Sequence, residues 1–216
     1  MLLPNVSVLF AGSNPKLDVE LNAPYPTTYT VEIFYPPYFA SSVRPQVTGV
    51  PQTLSYGGTF FTLSVSSTSY TGMSANDAAA KTTVVLSRGG FTTHAMNMGQ
   101  RHLQLNNTYN INNDGLYVLY VSQVLPNANL LTPGPALLFV VVNGVPSNGT
   151  MVIVGAGQVE TQPTAAAAVL PAVQTATTTA AKLGAFDGKR GVMTGVVVSA
   201  ALALLGVSST SFVVVG

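Results

Sequence analysis

The sequence predicts an all-β fold, because short apolar runs of strand length alternate with turn-forming clusters over most of the chain. Clusters of Gly, Pro, Asn and Asp separate the runs. This spacing of strands and turns is typical of a β-sandwich of about seven strands. The runs within residues 44–155 are Phe60–Val65, Thr82–Leu86, Arg101–Leu105, Gly115–Val121, Ala136–Val142 and Met151–Val154.

Residues 1–39 contain two strand-like runs and are predicted to be the end of a larger unit. Val6–Phe10 is mostly apolar, and Thr30–Phe34 alternates polar and apolar residues as a half-buried strand does. Pro36 and Pro37 end the second run, since proline has no backbone N–H to donate to a sheet. Two strands do not form a stable unit alone, so this segment is expected to pack against something else.

Within residues 44–155, one run is apolar at every position. Ala136–Val142 has no polar residue, which predicts a central strand that is buried on both faces. Ser74–Ala80 interrupts the strand pattern and is interpreted either as a helical turn or as a loop insertion.

Residues 156–190 are rich in Ala, Thr, Pro and Gln and carry few charges. Such a segment buries too little apolar area to offset the chain entropy that ordering would cost. The composition predicts a disordered linker or an extended, O-glycosylated stalk.

Residues 191–216 form an uncharged, largely apolar tail. As a helix the tail would span about 39 Å, which is enough to cross the hydrocarbon core of a bilayer. Lys189 and Arg190 precede it, and this positive flank favours a lipid-anchor signal of the GPI type over a single membrane-spanning helix. Both interpretations predict a membrane partner and a cell-surface location.

Composition excludes several classes of function. The chain has 216 residues, of which 7% are charged, and its formal net charge is +1. No basic patch for nucleic acid is present. Because the sequence contains no cysteine, disulfides, zinc–thiolate sites and cysteine nucleophiles are excluded.

Three Asn-X-Ser/Thr sequons point to an extracellular protein. They begin at Asn5, Asn106 and Asn148, and each is a predicted N-glycosylation site. The first residues of the chain do not form a convincing signal peptide, because Pro4 and Asn5 break the apolar run and no charged residue precedes it.

The segment that suggests a functional site is Phe91–Arg101, which contains His94, one of the two histidines of the chain. Imidazole is a preferred ligand of copper. His102, the second histidine, is interpreted as a surface or strand residue. Arg101 is expected to hold the local hairpin by donating to backbone carbonyl groups. No pair of carboxylates and no nucleophile elbow suggests another catalytic site.

The order of residues around His94 resembles the histidine-bearing block of the galactose oxidase and glyoxal oxidase family of copper radical oxidases. Four other blocks resemble that family in the same order, so the resemblance covers about residues 2–154. These blocks are Leu2–Pro15, Val31–Tyr38 with Arg44-Pro45, Tyr56-Gly57-Gly58, and Thr132–Gly149.

The resemblance implies an immunoglobulin-like early set sandwich at residues 44–155, preceded by the last strands of a kelch propeller at residues 1–39. In that family a hairpin of the sandwich enters the propeller channel and its histidine binds copper; His94 is the matching position. The remaining ligands, two tyrosines, one of them cross-linked to cysteine, and a further histidine, come from the propeller. Copper is therefore expected only where an upstream propeller completes the site.

The function implied by the resemblance is oxidation of aldehydes or primary alcohols by O2, which yields H2O2. The chain lacks the cysteine and any Tyr-His step, so it is expected to be a C-terminal fragment that is inactive alone, with no catalytic residue of its own. The alternative is a non-enzymatic cell-surface sandwich used for adhesion, glycan binding or wall structure. The absence of Trp disfavours a glycan-binding face in that alternative.

Overall fold

The computed structural model describes residues 1–12, 19–94, 96–112 and 114–176. Its strands are β1 Val8–Ala11, β2 Val31–Phe34, β3 Val47–Thr48, β4 Thr53–Leu54, β5 Tyr56–Gly58, β6 Phe61–Val65, β7 Thr82–Arg88, β8 Phe91–Thr93, β9 Met96–Met98, β10 Arg101–Leu105, β11 Asn107–Ile111, β12 Tyr117–Val121, β13 Gly134–Val142, β14 Val145–Pro146, β15 Thr150–Val154 and β16 Thr164–Ala167. The helical elements are one α-helix, α1 Ala75–Ala80, and the 3₁₀ turns Pro37–Ala40 and Ser67–Ser69.

Two sheets form the body of the domain, and they confirm the predicted all-β fold. One sheet has the strand order β10-β7-β13-β15-β4, with β14 paired to β13, and the other has the order β11-β12-β6-β3. Most pairs are antiparallel, and β4 joins β15 in parallel. Ser74 caps α1 by accepting a hydrogen bond from the backbone N–H of Asp77 at 3.1 Å, so the segment from Ser74 is the helical turn of the two alternatives.

The strand β13 is buried on both faces, as its unbroken apolar run predicts. Leu138 and Val140 point into the main core between the two sheets. Leu137 and Phe139, the alternating residues, belong to a second apolar cluster with Val6. Successive side chains of a strand face opposite sides of the sheet, so β13 lies in the middle of three layers.

The third layer is the amino-terminal segment. Tyr38 donates its hydroxyl proton to the carbonyl oxygen of Val6 at 2.6 Å, and burial raises the pKa of that phenol. Arg44 donates to the carbonyl oxygens of Pro146 and Asn5 at 2.9–3.0 Å. The Arg44–Asn5 bond and a bond from the N–H of Gly149 to the carbonyl oxygen of Pro4 at 2.7 Å fasten the segment to the sandwich. Val6 of the segment packs on the outer face of β13.

Beyond that cover, β1 and β2 form an antiparallel two-stranded ribbon. Four of its apolar residues, Phe10, Val31, Ile33 and Phe34, are exposed, and the other two large ones, Val8 and Leu9, are partly buried. The assignment of residues 1–39 as the end of a kelch blade stays a prediction.

Residues 156–176, here called the strap, differ from the predicted stalk. Strand β16 pairs in parallel with β5, and the backbone N–H of Gln174 donates to the carbonyl oxygen of Tyr109 at 2.9 Å. The disordered stalk prediction is therefore wrong over this stretch. Backbone hydrogen bonds hold the strap, and they do not require the large apolar side chains whose absence suggested disorder.

The remaining part of the predicted stalk, residues 177–190, and the apolar tail, residues 191–216, lie outside the described residues. Among the residues that are described, none belongs to a helix long and apolar enough to cross a bilayer.

Candidate functional site

His94 lies at the tip of a hairpin that extends from the six-stranded sheet. Strands β8 and β9 pair antiparallel, with Thr93 opposite Met96, so His94 begins the turn. It is exposed, and its φ is 52°. A left-handed φ suits the first central residue of a two-residue hairpin turn, and histidine is one of the residues that tolerates it.

The β8–β9 hairpin is an extension of the longer β7–β10 strand pair. Strands β7 and β10 are in register from Arg88 opposite Arg101 to Val84 opposite Leu105, and β7 is hydrogen-bonded on its other side to β13. The tip is therefore carried by a strand from the centre of the sandwich. Rigid elements of this kind position a ligand more accurately than an isolated loop does.

A close backbone approach fixes the base of the hairpin. A Cβ placed on Gly90 would collide with the carbonyl oxygen of Met98 and lie 2.5 Å from Cγ of Gln100. Arg101 donates to the carbonyl oxygen of Gln100 at 2.8 Å. Because these two residues are adjacent in the chain, this bond does not cross the hairpin, and the role of Arg101 in holding it stays a prediction. Gly90 was not singled out from the sequence, because its close contact with the backbone of β9 exists only in the folded structure.

Arg88 holds the neighbouring loop at the same end of β7. Its Nε donates to the carbonyl oxygen of Pro135 at 3.1 Å, and its Nη1 donates to the hydroxyl of Thr132. Burial lowers the pKa of the Arg88 guanidinium, and the nearby charge of Arg101 lowers it further. Arg88 is thus a structural support beneath the hairpin, which the sequence did not single out.

A groove of about 890 Å³ separates the hairpin from the β1–β2 ribbon. Phe91, Asn97 and Gln100 line it from the hairpin side, and Phe10 and Glu32 line it from the ribbon side. The ribbon and the hairpin therefore face a common space at one end of the molecule.

The described residues do not assemble a metal site by themselves. No group of three or more His, Cys, Asp or Glu side chains occurs within the parts of the chain that the structure describes. His102 lies opposite Ser87 in the β10–β7 pair and is exposed, away from the tip. His94 presents an exposed imidazole, a group that is able to bind copper, and its role as a copper ligand stays a prediction.

The three predicted glycosylation residues, Asn5, Asn106 and Asn148, are all exposed. In the first sequon, Oδ1 of Asn5 accepts hydrogen bonds from the backbone N–H and the hydroxyl of Ser7 at 3.1 and 2.7 Å, and Ser7 is fully buried. In the second, the hydroxyl of Thr108 is buried and has no hydrogen-bond partner among the described residues. Their glycosylation stays a prediction.

Comparison with known proteins places this sandwich in a family context. The family model described as "Galactose oxidase-like, Early set domain" matches residues 44–154. The chain is 34% identical over 154 residues to an aldehyde oxidase, GLOX1, of Arabidopsis thaliana, covering 68% of this chain and 24% of that protein. It is 32% identical over 150 residues to an aldehyde oxidase, GLOX, of Vitis pseudoreticulata, covering 68% and 27%.

Among solved structures, a fungal alcohol oxidase in complex with copper aligns with a TM-score of 0.47 and 18% identity, covering 71% of this chain and 29% of that one. The chain spans about a quarter of the length of the two curated relatives.

Proposed function

Because the chain belongs to the galactose oxidase-like early set domain family, we propose that it is the C-terminal domain of a glyoxal oxidase-like copper radical oxidase, to which it supplies His94 as a copper ligand. In the complete protein the proposed reaction is oxidation of an aldehyde or a primary alcohol by O2, with formation of H2O2. Copper, when bound, supplies the redox centre for that reaction.

The observation that carries the proposal is the position of His94. It is exposed at the tip of a two-stranded hairpin, and a central strand of the sandwich supports that hairpin. The role of this chain is to hold one imidazole at a fixed place beyond its own surface. A single imidazole binds copper weakly, so the site requires ligands from the part of the oxidase that lies outside this chain.

The exposed ribbon supports an upstream partner. Val31, Ile33 and Phe34 lie on β2 and are each at least 45% exposed, an unusual density of apolar surface on one short strand. The ribbon borders the same groove as the hairpin. A propeller that continues the β1–β2 sheet would cover these side chains and receive the hairpin together.

The test is a chimera in which residues 1–176 replace the corresponding C-terminal part of the Arabidopsis relative. We expect the chimera to produce H2O2 from an aldehyde, as measured with a coupled peroxidase. His94→Ala should lower the rate at least about a hundredfold, because a metal ligand is lost. His102→Ala is the matched control and should leave the rate within about twofold.

Retention of full activity by the His94→Ala chimera, with copper still bound, would rule out the proposed role of this residue. If the chimera folds but neither binds copper nor turns over, the non-enzymatic surface module becomes the better account of the chain. The extracellular or membrane-anchored location is proposed on the sequons and the apolar tail, and it does not enter this test.

A further inference from the structure

We infer that the strap, residues 156–176, is an integral part of the sandwich and delivers the chain to the end of the domain opposite the hairpin. The strap lies beyond residues 44–154, which the family model matches. The inference does not rest on the proposed function, because it depends on backbone contacts that are independent of copper.

The first attachment of the strap is a turn that leads into a strand. The side chain of Gln162 folds back on the turn: its Oε1 accepts from the backbone N–H of Ala156 at 2.8 Å, and its Nε2 donates to the carbonyl oxygen of Glu160 at 3.0 Å. Strand β16 then runs parallel to β5, and the N–H of Ala168 donates to the carbonyl oxygen of Gly58 at 3.0 Å.

The strap can pack against β5 only because residue 57 of β5 is a glycine. A Cβ placed on it would collide with the backbone carbonyl of Ala165. Its φ is +72°, so a side chain would also be strained there. The absence of a side chain at Gly57 thus allows the backbone of β16 to approach β5 closely.

The second attachment lies on β11 and α1. The N–H of Gln174 donates to the carbonyl oxygen of Tyr109 at 2.9 Å, and the N–H of Ile111 donates back to Gln174 at 3.2 Å. The side-chain amide of Asn76 accepts from the N–H of Ala176 at 3.1 Å and donates to its carbonyl oxygen at 3.4 Å. The side chain of Asn76 therefore makes the two hydrogen bonds to the backbone of Ala176 that the backbone of a neighbouring strand would make.

These attachments set where the strap ends relative to the hairpin. Helix α1 precedes Thr82, the first residue of β7, whereas the hairpin follows Arg88, the last residue of β7. An extended strand of this length spans about 20 Å. Ala176 is held at the α1 end and His94 lies beyond the other end.

The β1–β2 ribbon and the last residue of the strap, Ala176, consequently lie at opposite ends of the sandwich. The β1–β2 ribbon borders the groove beside the hairpin, and the strap ends at α1. At Ala176 the strap therefore lies at the end of the sandwich away from the hairpin.

Hydrogen exchange with mass spectrometry on the full chain tests the strap directly. We expect the backbone amides of Ala168, Gln174 and Ala176 to exchange at least about tenfold more slowly than in an unstructured peptide. Gly57→Ala should remove this protection. Gly72→Ala is the matched control, because Gly72 has a φ of +71° but no atom within 4 Å of its Cβ position.

Asn76→Ala is the second variant, and it introduces no backbone strain. It should accelerate exchange at Ala176 while leaving the amides of β7 unchanged. Unprotected strap amides in the unmodified chain would overturn the inference, and so would equal losses of strap protection in Gly57→Ala and Gly72→Ala.

A distance measurement tests the opposite-end geometry. Because the chain has no cysteine, the double variant Gln100→Cys and Thr175→Cys takes two spin labels at exposed positions. Pulsed dipolar spectroscopy should give a narrow distribution centred beyond about 20 Å, the length of β7. A broad distribution, or one centred at shorter distance, would contradict the fixed strap.

Discussion

The body of the sandwich and the β1–β2 ribbon differ in how far their apolar side chains are exposed to solvent. Between the two sheets Leu63, Leu119 and Leu138 are at most 2% exposed, and the N-terminal segment covers the outer face of β13. On the ribbon Val31, Ile33 and Phe34 are exposed by 45% or more. The sandwich therefore buries its apolar side chains between its own layers, whereas the ribbon leaves them exposed, as the proposed contact with a further domain requires.

The largest expected effect comes from deleting a core side chain. Leu119→Ala should lower the free energy of unfolding by about 3 kcal/mol, because it removes buried methyl groups and leaves a cavity. Ile33→Ala removes the same number of carbon atoms from the ribbon and should cost less than about 0.5 kcal/mol. Urea unfolding of both variants measures the difference, and equal costs would erase the distinction between the two regions.

A buried tyrosine makes the sandwich sensitive to alkaline pH. Tyr117 is fully buried and lies 2.9 Å from the hydroxyl oxygen of Thr82, which itself donates to the carbonyl oxygen of Ala78. Burial raises the pKa of Tyr117 to about 12 from its ordinary value of 10.0. The unfolded chain therefore loses this proton at a lower pH than the folded chain.

The sign of the effect follows from that difference. Stability from this group is fully present below pH 10 and is lost as the pH rises towards 12, by about 2.7 kcal/mol in total. Tyr117→Phe should flatten this part of the stability curve at a cost near neutral pH of about 1 kcal/mol for the lost hydrogen bond. Unfolding at stepped pH measures both quantities, and an unchanged slope in the variant would assign the alkaline loss to other groups.

The smallest effect is expected at the hairpin tip. His94 is exposed in a turn with a positive φ, so His94→Gly should change the free energy of unfolding by less than about 0.5 kcal/mol. Thermal unfolding of the full chain checks this. A large destabilisation would mean that the imidazole supports the sandwich itself, which would weaken its interpretation as a residue held for an external site.

Sequence reasoning succeeded where side-chain patterns decide the structure. Strand β10 has the bounds that were predicted for it, Arg101–Leu105. The unbroken apolar run of β13 correctly predicted that this strand is buried on both faces. The resemblance selected His94, and the structure places it at a hairpin tip. Strand β11, Asn107–Ile111, was missed because its polar residues give no apolar alternation at a sheet edge.

The strap could not be predicted because its attachment is made by the backbone. Residues 164–167 are one threonine and three alanines, which carry no strand-like periodicity, and the complementary feature is the absence of a side chain at Gly57. The other copper ligands were not predictable from this chain for a different reason: the proposed site draws them from residues that the chain does not contain.

The most direct test of the central claim is pulsed electron paramagnetic resonance of Cu(II) in the chimera with the Arabidopsis relative. Imidazole nitrogens coupled to the copper are counted in the chimera, in His94→Ala and in the control His102→Ala. If His94 is a ligand, the His94→Ala spectrum has one imidazole fewer and the control is unchanged. The same number of imidazoles in all three would contradict the assignment of His94 as a copper ligand.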